Sequence, residues 1–109
     1  MKNNIVKEGK INAALSYITL VGWIIAYLLN KNSNNSFVKF HIRQSLGLHL
    51  ILFLISFIQN FKVLGFNLKF IASAFAIIFL IIGCINALFE KEKLTPLIGE
   101  HFQNWFKSL

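Results

Sequence analysis

The side chains with most scope for chemistry are three histidines, four glutamates and one cysteine. His41 and His49 fall eight residues apart near one apolar run, whereas every glutamate lies in a polar segment or tail. A metal site or a proton relay needs a third ligand or a carboxylate beside the histidines. The sequence also lacks a glycine-rich phosphate loop and a nucleophile paired with a base. It therefore predicts a protein that is not an enzyme and that has no metal and no cofactor.

Three long apolar runs would have to position those side chains, and they fill most of the 109 residues. They are Ile11–Leu29, Leu46–Ile58 and Phe70–Phe89, and the second run is preceded by a polar segment that begins at Phe37. None of the three runs contains glutamate, lysine or arginine. A run of about 18 apolar residues is long enough to cross a bilayer as a helix. The pattern predicts a single all-α integral membrane domain. We expect a bundle of three transmembrane helices, with spans at about 11–29, 37–61 and 70–89.

The net charge of +7 comes from basic residues in the tails and connectors, while only 14% of all residues are charged. Cations in these places are typical of contacts with anionic lipid headgroups. We therefore expect the lipid bilayer as a partner and no nucleic acid. Three spans would put five basic residues on one side of the membrane and six on the other. That balance favours neither orientation. We expect the connector Asn30–Ser36 and the end of the chain to be cytoplasmic, because cations crowd the connector and its surroundings and an amphipathic helix gains most from the anionic inner leaflet.

Polar side chains fall on one face of each of the first two predicted helices. Because an unpaired polar group facing lipid is costly, these stripes are expected to point inward. The stripe residues are Asn12, Ser16, Thr19, Ser45, His49, Ser56 and Gln59. They could hold the helices together by hydrogen bonds, or they could line a path for an ion, a peptide or a lipid headgroup.

The chain ends in an amphipathic segment that is too short to span a membrane. Thr95 and Pro96 suit the N-cap and first position of a helix over about 96–108. Phe102, Trp105 and Phe106 lie on its apolar side and are predicted to anchor it at the membrane interface. The alternative is that this face docks on a partner subunit.

The stretch Phe37-Val38-Lys39-Phe40-His41-Ile42-Arg43-Gln44-Ser45 follows a polar connector and opens the second predicted helix. It resembles small bacterial membrane proteins similar to the twenty-kilodalton component of the chloroplast inner-envelope import machinery, the Tic-twenty-like family. The ending Thr95-Pro96-Leu97-Ile98 resembles the same family. The resemblance implies a multi-pass protein of the bacterial inner membrane, in which His41 and Gln44 are polar groups that define the fold.

Three functions follow from these features and are carried forward as hypotheses, the last of which is a lipid-organising membrane protein that acts through its basic interface. The first is a non-enzymatic accessory subunit of a larger membrane complex, one concerned with protein translocation, with other membrane-protein subunits as partners. The alternative is a small channel or transporter that assembles from several copies and is lined by the polar stripes.

Overall fold

The computed structural model describes residues 2–60, 66–95 and 98–109. These residues form five helices and no strand: α1 (Lys2–Ile18), α2 (Leu20–Ser33), α3 (Ser36–Asn60), α4 (Phe66–Leu88) and α5 (Gly99–Trp105). α1 is the central element, because it packs against α2, α3 and α4. The all-helical prediction is confirmed for this part of the chain, whereas the number of helices long enough to span a membrane is not three.

The first apolar run is broken at Thr19, where the chain turns back on itself. Thr19 has extended backbone angles, φ −149° and ψ 171°. Its Oγ1 accepts a hydrogen bond of 3.0 Å from the Gly22 amide, which makes Thr19 the N-cap of α2. Helix α1 therefore ends at Ile18, and α2 begins at Leu20 in the opposite direction. We call α1 and α2 together the hairpin.

Contacts along the hairpin show that its two helices are antiparallel neighbours. The Asn12 Nδ2 donates to the Ala26 carbonyl at 3.2 Å, fourteen residues further along the chain. A Cβ atom on Gly22 would stand 2.6 Å from the Leu15 carbonyl oxygen, so only glycine permits this close approach. Thr19 and Gly22 thus turn one apolar run into two short helices.

The connector between α2 and α3 is shorter than the predicted Asn30–Ser36, because α2 continues to Ser33. Asn34 adopts the left-handed conformation, with φ 50°, that ends helices. The Asn35 side-chain oxygen accepts hydrogen bonds from the amides of Phe37 and Val38 at 2.9 and 3.2 Å. Asn35 therefore caps α3. Its Nδ2 also donates to the Ile5 carbonyl at 2.7 Å, which ties the start of α1 to this connector.

Among the described residues, two helices are long and apolar enough to cross a membrane, over Ser36–Phe57 in α3 and Lys69–Leu88 in α4. The prediction of three transmembrane helices is therefore wrong. The first run has enough apolar residues for a span, but the break at Thr19 divides them between two shorter helices. Apolar length alone could not reveal that division.

The buried side chains are concentrated at one end of the molecule. At this end, which we call the terminal end, α1 begins, α2 meets α3, α4 finishes and α5 packs on α3. The largest fully buried side chains include Phe37, His41, Ile42, Gln44 and Leu48, all in the first half of α3. We call the opposite end, where α3 finishes and α4 begins, the far end.

Candidate functional site: a buried polar network at the terminal end

His41 lies at the centre of the terminal end and is fully buried. Its Nε2 is 2.8 Å from the Lys91 carbonyl oxygen, which can only accept a hydrogen bond, so Nε2 carries the proton. The Nδ1 atom therefore accepts the hydrogen bond from the Tyr17 hydroxyl at 2.7 Å. The rings of Phe37 and Phe40 meet the imidazole edge-on, at centroid distances of 4.7 and 5.1 Å. His41 thus joins α1, α3 and the segment after α4.

The Lys91 carbonyl is presented to His41 by the turn that ends α4. The Lys91 amide donates to the Asn86 carbonyl at 2.8 Å, and the Glu90 amide donates to the Ala87 carbonyl at 3.1 Å. Glu90 is left-handed, with φ 64°. This pair of bonds is the Schellman ending of a helix, with a glutamate where glycine is usual.

Gln44 uses both ends of its side-chain amide on the backbone that leads into α5. Its Nε2 donates to the Gly99 carbonyl at 2.7 Å, and its Oε1 accepts from the Thr95 amide at 2.9 Å. The side chain is fully buried. The predicted cap and first helical position at Thr95-Pro96 cannot be compared in full, because 96–97 lie outside the described residues. Helix α5 itself begins at Gly99.

The predicted stripe residues lie in different environments. Ser16 and Ser45 are buried, and each hydroxyl donates to a carbonyl of its own helix, Ala13 at 2.6 Å and His41 at 2.7 Å. His49 contacts α1 through the Ser16 carbonyl oxygen, 3.0 Å from its Nε2. Asn12 donates its hydrogen bond to the Ala26 carbonyl of α2.

The other stripe residues do not join this group. Thr19 is at the exposed turn of the hairpin, and Ser56 is exposed in the far half of α3. The side chain of Gln59 lies outside the described residues. An inward role for these three positions stays a prediction.

The end of the chain is held on α3 by polar and aromatic contacts. Arg43 donates to the Lys107 carbonyl at 2.8 Å, and the Gln103 Nε2 donates to the Phe40 carbonyl at 2.9 Å. Phe102 is buried against Gly47, where an added Cβ would collide with its ring. Of the predicted anchors, Phe106 is half-buried and Trp105 is 65% exposed.

Several positions that matter to this network were not singled out by the sequence analysis. Tyr17 supplies the partner of His41, which joins α1 to α3. Gly47 makes room for Phe102, and Asn35 caps α3. Of these positions, Gly47 offers a signal in the sequence, because a glycine within a helical run has no side chain and leaves room for a neighbouring group.

A cavity of about 460 Å³ lies beyond the turn of the hairpin, between α3 and α4. Its lining residues are Tyr17, Ile18, Thr19, His49, Leu52, Ile77, Leu80, Ile81, Cys84 and Ile85. Tyr17, His49 and Cys84 each already make an internal hydrogen bond, to His41, to the Ser16 carbonyl and, at 3.6 Å, to the Ala14 carbonyl. The cavity therefore suits hydrocarbon better than an ion.

The polar contacts of the terminal end hold helices in place relative to one another. No group of three His, Cys or Glu side chains that could hold a metal ion occurs within 2–60, 66–95 and 98–109. The ring nitrogens of His41 and the amide of Gln44 are all engaged inside the protein. These two residues hold the terminal end together, and the observed contacts leave neither of them facing a ligand cavity.

Comparison with known proteins overturns the resemblance drawn from the sequence. The model of a family described as the magnetosome magnetite crystal formation protein family (MamF/MmsF) matches residues 8–102, from the hairpin to α5. No curated protein and no solved structure matches the chain. The Tic-twenty-like assignment is therefore wrong. The stretch with His41 and Gln44 closes a helical bundle, and such a motif identifies an architecture more readily than an activity.

The functions that were inferred together with that resemblance are also wrong. The family description concerns crystal formation, which contradicts both the translocation subunit and the alternative of a channel or transporter. The matched region covers most of the 109 residues and includes every element of the polar network. The chain belongs to the magnetosome magnetite crystal formation protein family.

Proposed function

We propose that this chain is an integral protein of the magnetosome membrane that takes part in magnetite crystal formation without being an enzyme. The observation that carries the proposal is the family match over residues 8–102, which includes both helices capable of crossing a membrane. The buried network supports a structural role, because its polar groups are used to join helices. The surrounding lipid is the partner that the exposed apolar faces of α3 and α4 require.

In this placement α3 and α4 cross the bilayer, and the hairpin enters it from one side only. The apolar parts of its limbs are Ile11–Ile18 and Leu20–Leu29. At about 1.5 Å per residue each limb is about 12–15 Å long, which is half of a hydrocarbon core of about 30 Å. Ile18, Leu20 and Val21 at the turn are 64%, 53% and 66% exposed, as side chains that meet lipid should be.

The hairpin also changes the balance of charge across the membrane. Because it returns to the side that it entered from, the start of α1 joins the α2–α3 connector and the end of the chain at the terminal end. The described basic residues at that end are Lys2, Lys7, Lys10, Lys31, Lys39, Arg43, Lys91, Lys93 and Lys107. Lys69 lies at the far end, and Lys62 is outside the described residues. The excess of basic residues favours a cytoplasmic terminal end.

The proposal is tested in a magnetosome-forming bacterium from which the resident member of this family has been deleted. We expect the tagged chain to co-purify with magnetosomes, to resist carbonate extraction, and to restore crystal dimensions measured by electron microscopy. The control is His41→Leu with Gln44→Leu, which should remove the polar network and abolish the rescue. A chain that reaches the magnetosome membrane but leaves crystal dimensions unchanged would refute the role in crystal formation.

A further inference from the structure

The number of helices side by side changes along the length of the molecule. At the terminal end α1, α2, α3 and α4 lie together, and α5 packs on the outside of α3. Near its turn α1 contacts α3 through Ser16 and His49, and it contacts α4 through Ala14 and Cys84 and through Tyr17 and Gly83. Beyond them α3 continues to Asn60 and α4 begins at Phe66. Only five residues separate those two positions in the sequence, so the far half consists essentially of two helices.

Side-chain burial is greatest at the terminal end, although Ile55 and Ala76 are buried in the far half. His41, Gln44 and Ser45 are fully buried at the terminal end. In the far half Phe53 and Leu54 of α3 are 64% and 53% exposed, and Phe75 of α4 is 57% exposed. These side chains face outward although they are large and apolar, which is the state expected of a two-helix layer surrounded by hydrocarbon.

A protein with four helices at one end and two at the other occupies more area in one leaflet of the bilayer than in the other. In the proposed placement the leaflet at the terminal end accommodates four helices, and the opposite leaflet accommodates two. Trp105 on α5, 65% exposed, adds an aromatic ring at the headgroup level of the wider side. The wider leaflet is expanded relative to its partner, and a bilayer relieves such a difference by curving with the expanded leaflet outward.

We propose that this protein is a membrane wedge that favours curvature with its terminal end on the convex face. The inference rests on the proposed membrane placement and adds a mechanical function to it. Because coupling between binding and shape is reciprocal, a protein that bends the bilayer also accumulates where the bilayer is already bent. With the terminal end in the cytoplasm, the favoured shape is a closed compartment inside the cell, which is the shape of a membrane that encloses a crystal.

The experiment compares the two orientations of the same full-length chain on membrane tubes pulled from giant vesicles. Cys84→Ser removes the native thiol, and a single cysteine is then introduced by Ser108→Cys at the terminal end or by Lys69→Cys at the far end. The vesicles contain phosphatidylethanolamine and phosphatidylglycerol, and an impermeant dye is added outside. The dye therefore marks only molecules whose chosen end faces outward, on the convex side of the tube.

The measured quantity is the dye signal relative to a lipid dye on the tube, divided by the same ratio on the flat membrane. We expect a value above one for Ser108→Cys and below one for Lys69→Cys. Equal values for the two labels, or the reverse order, would overturn the wedge even if the protein is firmly inserted. Release of the chain by carbonate would overturn the membrane placement itself, and the wedge with it, so the two failures are distinguishable.

Discussion

His41 joins two other parts of the molecule to α3, because its two ring nitrogens bond two different segments. Tyr17 belongs to α1, and the Lys91 carbonyl follows α4. His49, one layer deeper, bonds only the Ser16 carbonyl. The two histidines therefore differ in structural importance although both occur on the same helix.

We expect His41→Leu to destabilise the protein by about 2–6 kcal/mol, because a hydroxyl and a carbonyl are each left unpaired at about 1–3 kcal/mol. His49→Leu should cost less, since one carbonyl loses its partner. Ser56→Leu is the control and should stay within about 0.5 kcal/mol, as expected for an exposed position. Thermal unfolding in detergent measures all three, and equal losses at His41 and Ser56 would contradict this ranking.

Glu90 is a position at which a substitution should stabilise the protein. Its left-handed φ of 64° costs a side chain about 1 kcal/mol that glycine does not incur. Glu90→Gly is therefore expected to raise the melting temperature in detergent. Glu90→Gln makes the same change of charge without the backbone freedom and should raise it less. If both variants gained equally, charge at the helix end would be the cause and not conformation.

At the level of helices, the sequence allowed α3 and α4 to be predicted but not the hairpin. Runs such as Phe70–Phe89 become helices because nothing in them competes with the helical backbone. Thr19 does compete, but one threonine in an apolar run is also common inside a straight helix, so its capping role depends on Gly22 and on packing with α1. The positions of His41 and Gln44 were visible as polar groups. Their partners, Tyr17 and the backbone at Thr95, depend on tertiary contacts that no spacing predicts.

The hairpin gives a direct prediction at Gly22, where a side chain would meet the Leu15 carbonyl. Gly22→Leu should push the two limbs apart and destabilise the protein by about 1–3 kcal/mol, as overpacking does. Val21→Leu, at a neighbouring exposed position, should have almost no effect.

Spin labels measure the separation of the limbs. With Cys84→Ser as background, Ile11→Cys and Leu28→Cys place labels on exposed positions of α1 and α2. We expect a short distance in the parent and a longer one with Gly22→Leu. A straight helix over the same run would separate the two positions by about 25 Å along its axis. That distance in the parent would refute the hairpin.

The whole molecule measures 49 × 22 × 22 Å, and its long axis is comparable to a complete bilayer of about 40–45 Å. Most of its described basic residues lie at one end of that axis, with Lys69 at the other, whereas a bundle of three spans would divide them almost equally between the two sides. In the proposed placement, the break at Thr19 therefore determines which side of the membrane the start of α1 occupies. The start of α1 is the segment whose location differs between the two arrangements.

Single cysteines at Asn4, Ser33, Ser108 and Lys69, each on the Cys84→Ser background, distinguish the arrangements in sealed vesicles with the cytoplasmic face outward. An impermeant maleimide should label Asn4→Cys, Ser33→Cys and Ser108→Cys without detergent, because the hairpin brings all three to the terminal end. Lys69→Cys should react only after the vesicles are opened. The charge excess at the terminal end is the physical reason for this direction of insertion. Protection of Asn4→Cys together with labelling of Ser33→Cys would instead require the first apolar run to cross the membrane, and would contradict both the half-depth hairpin and the wedge built on it.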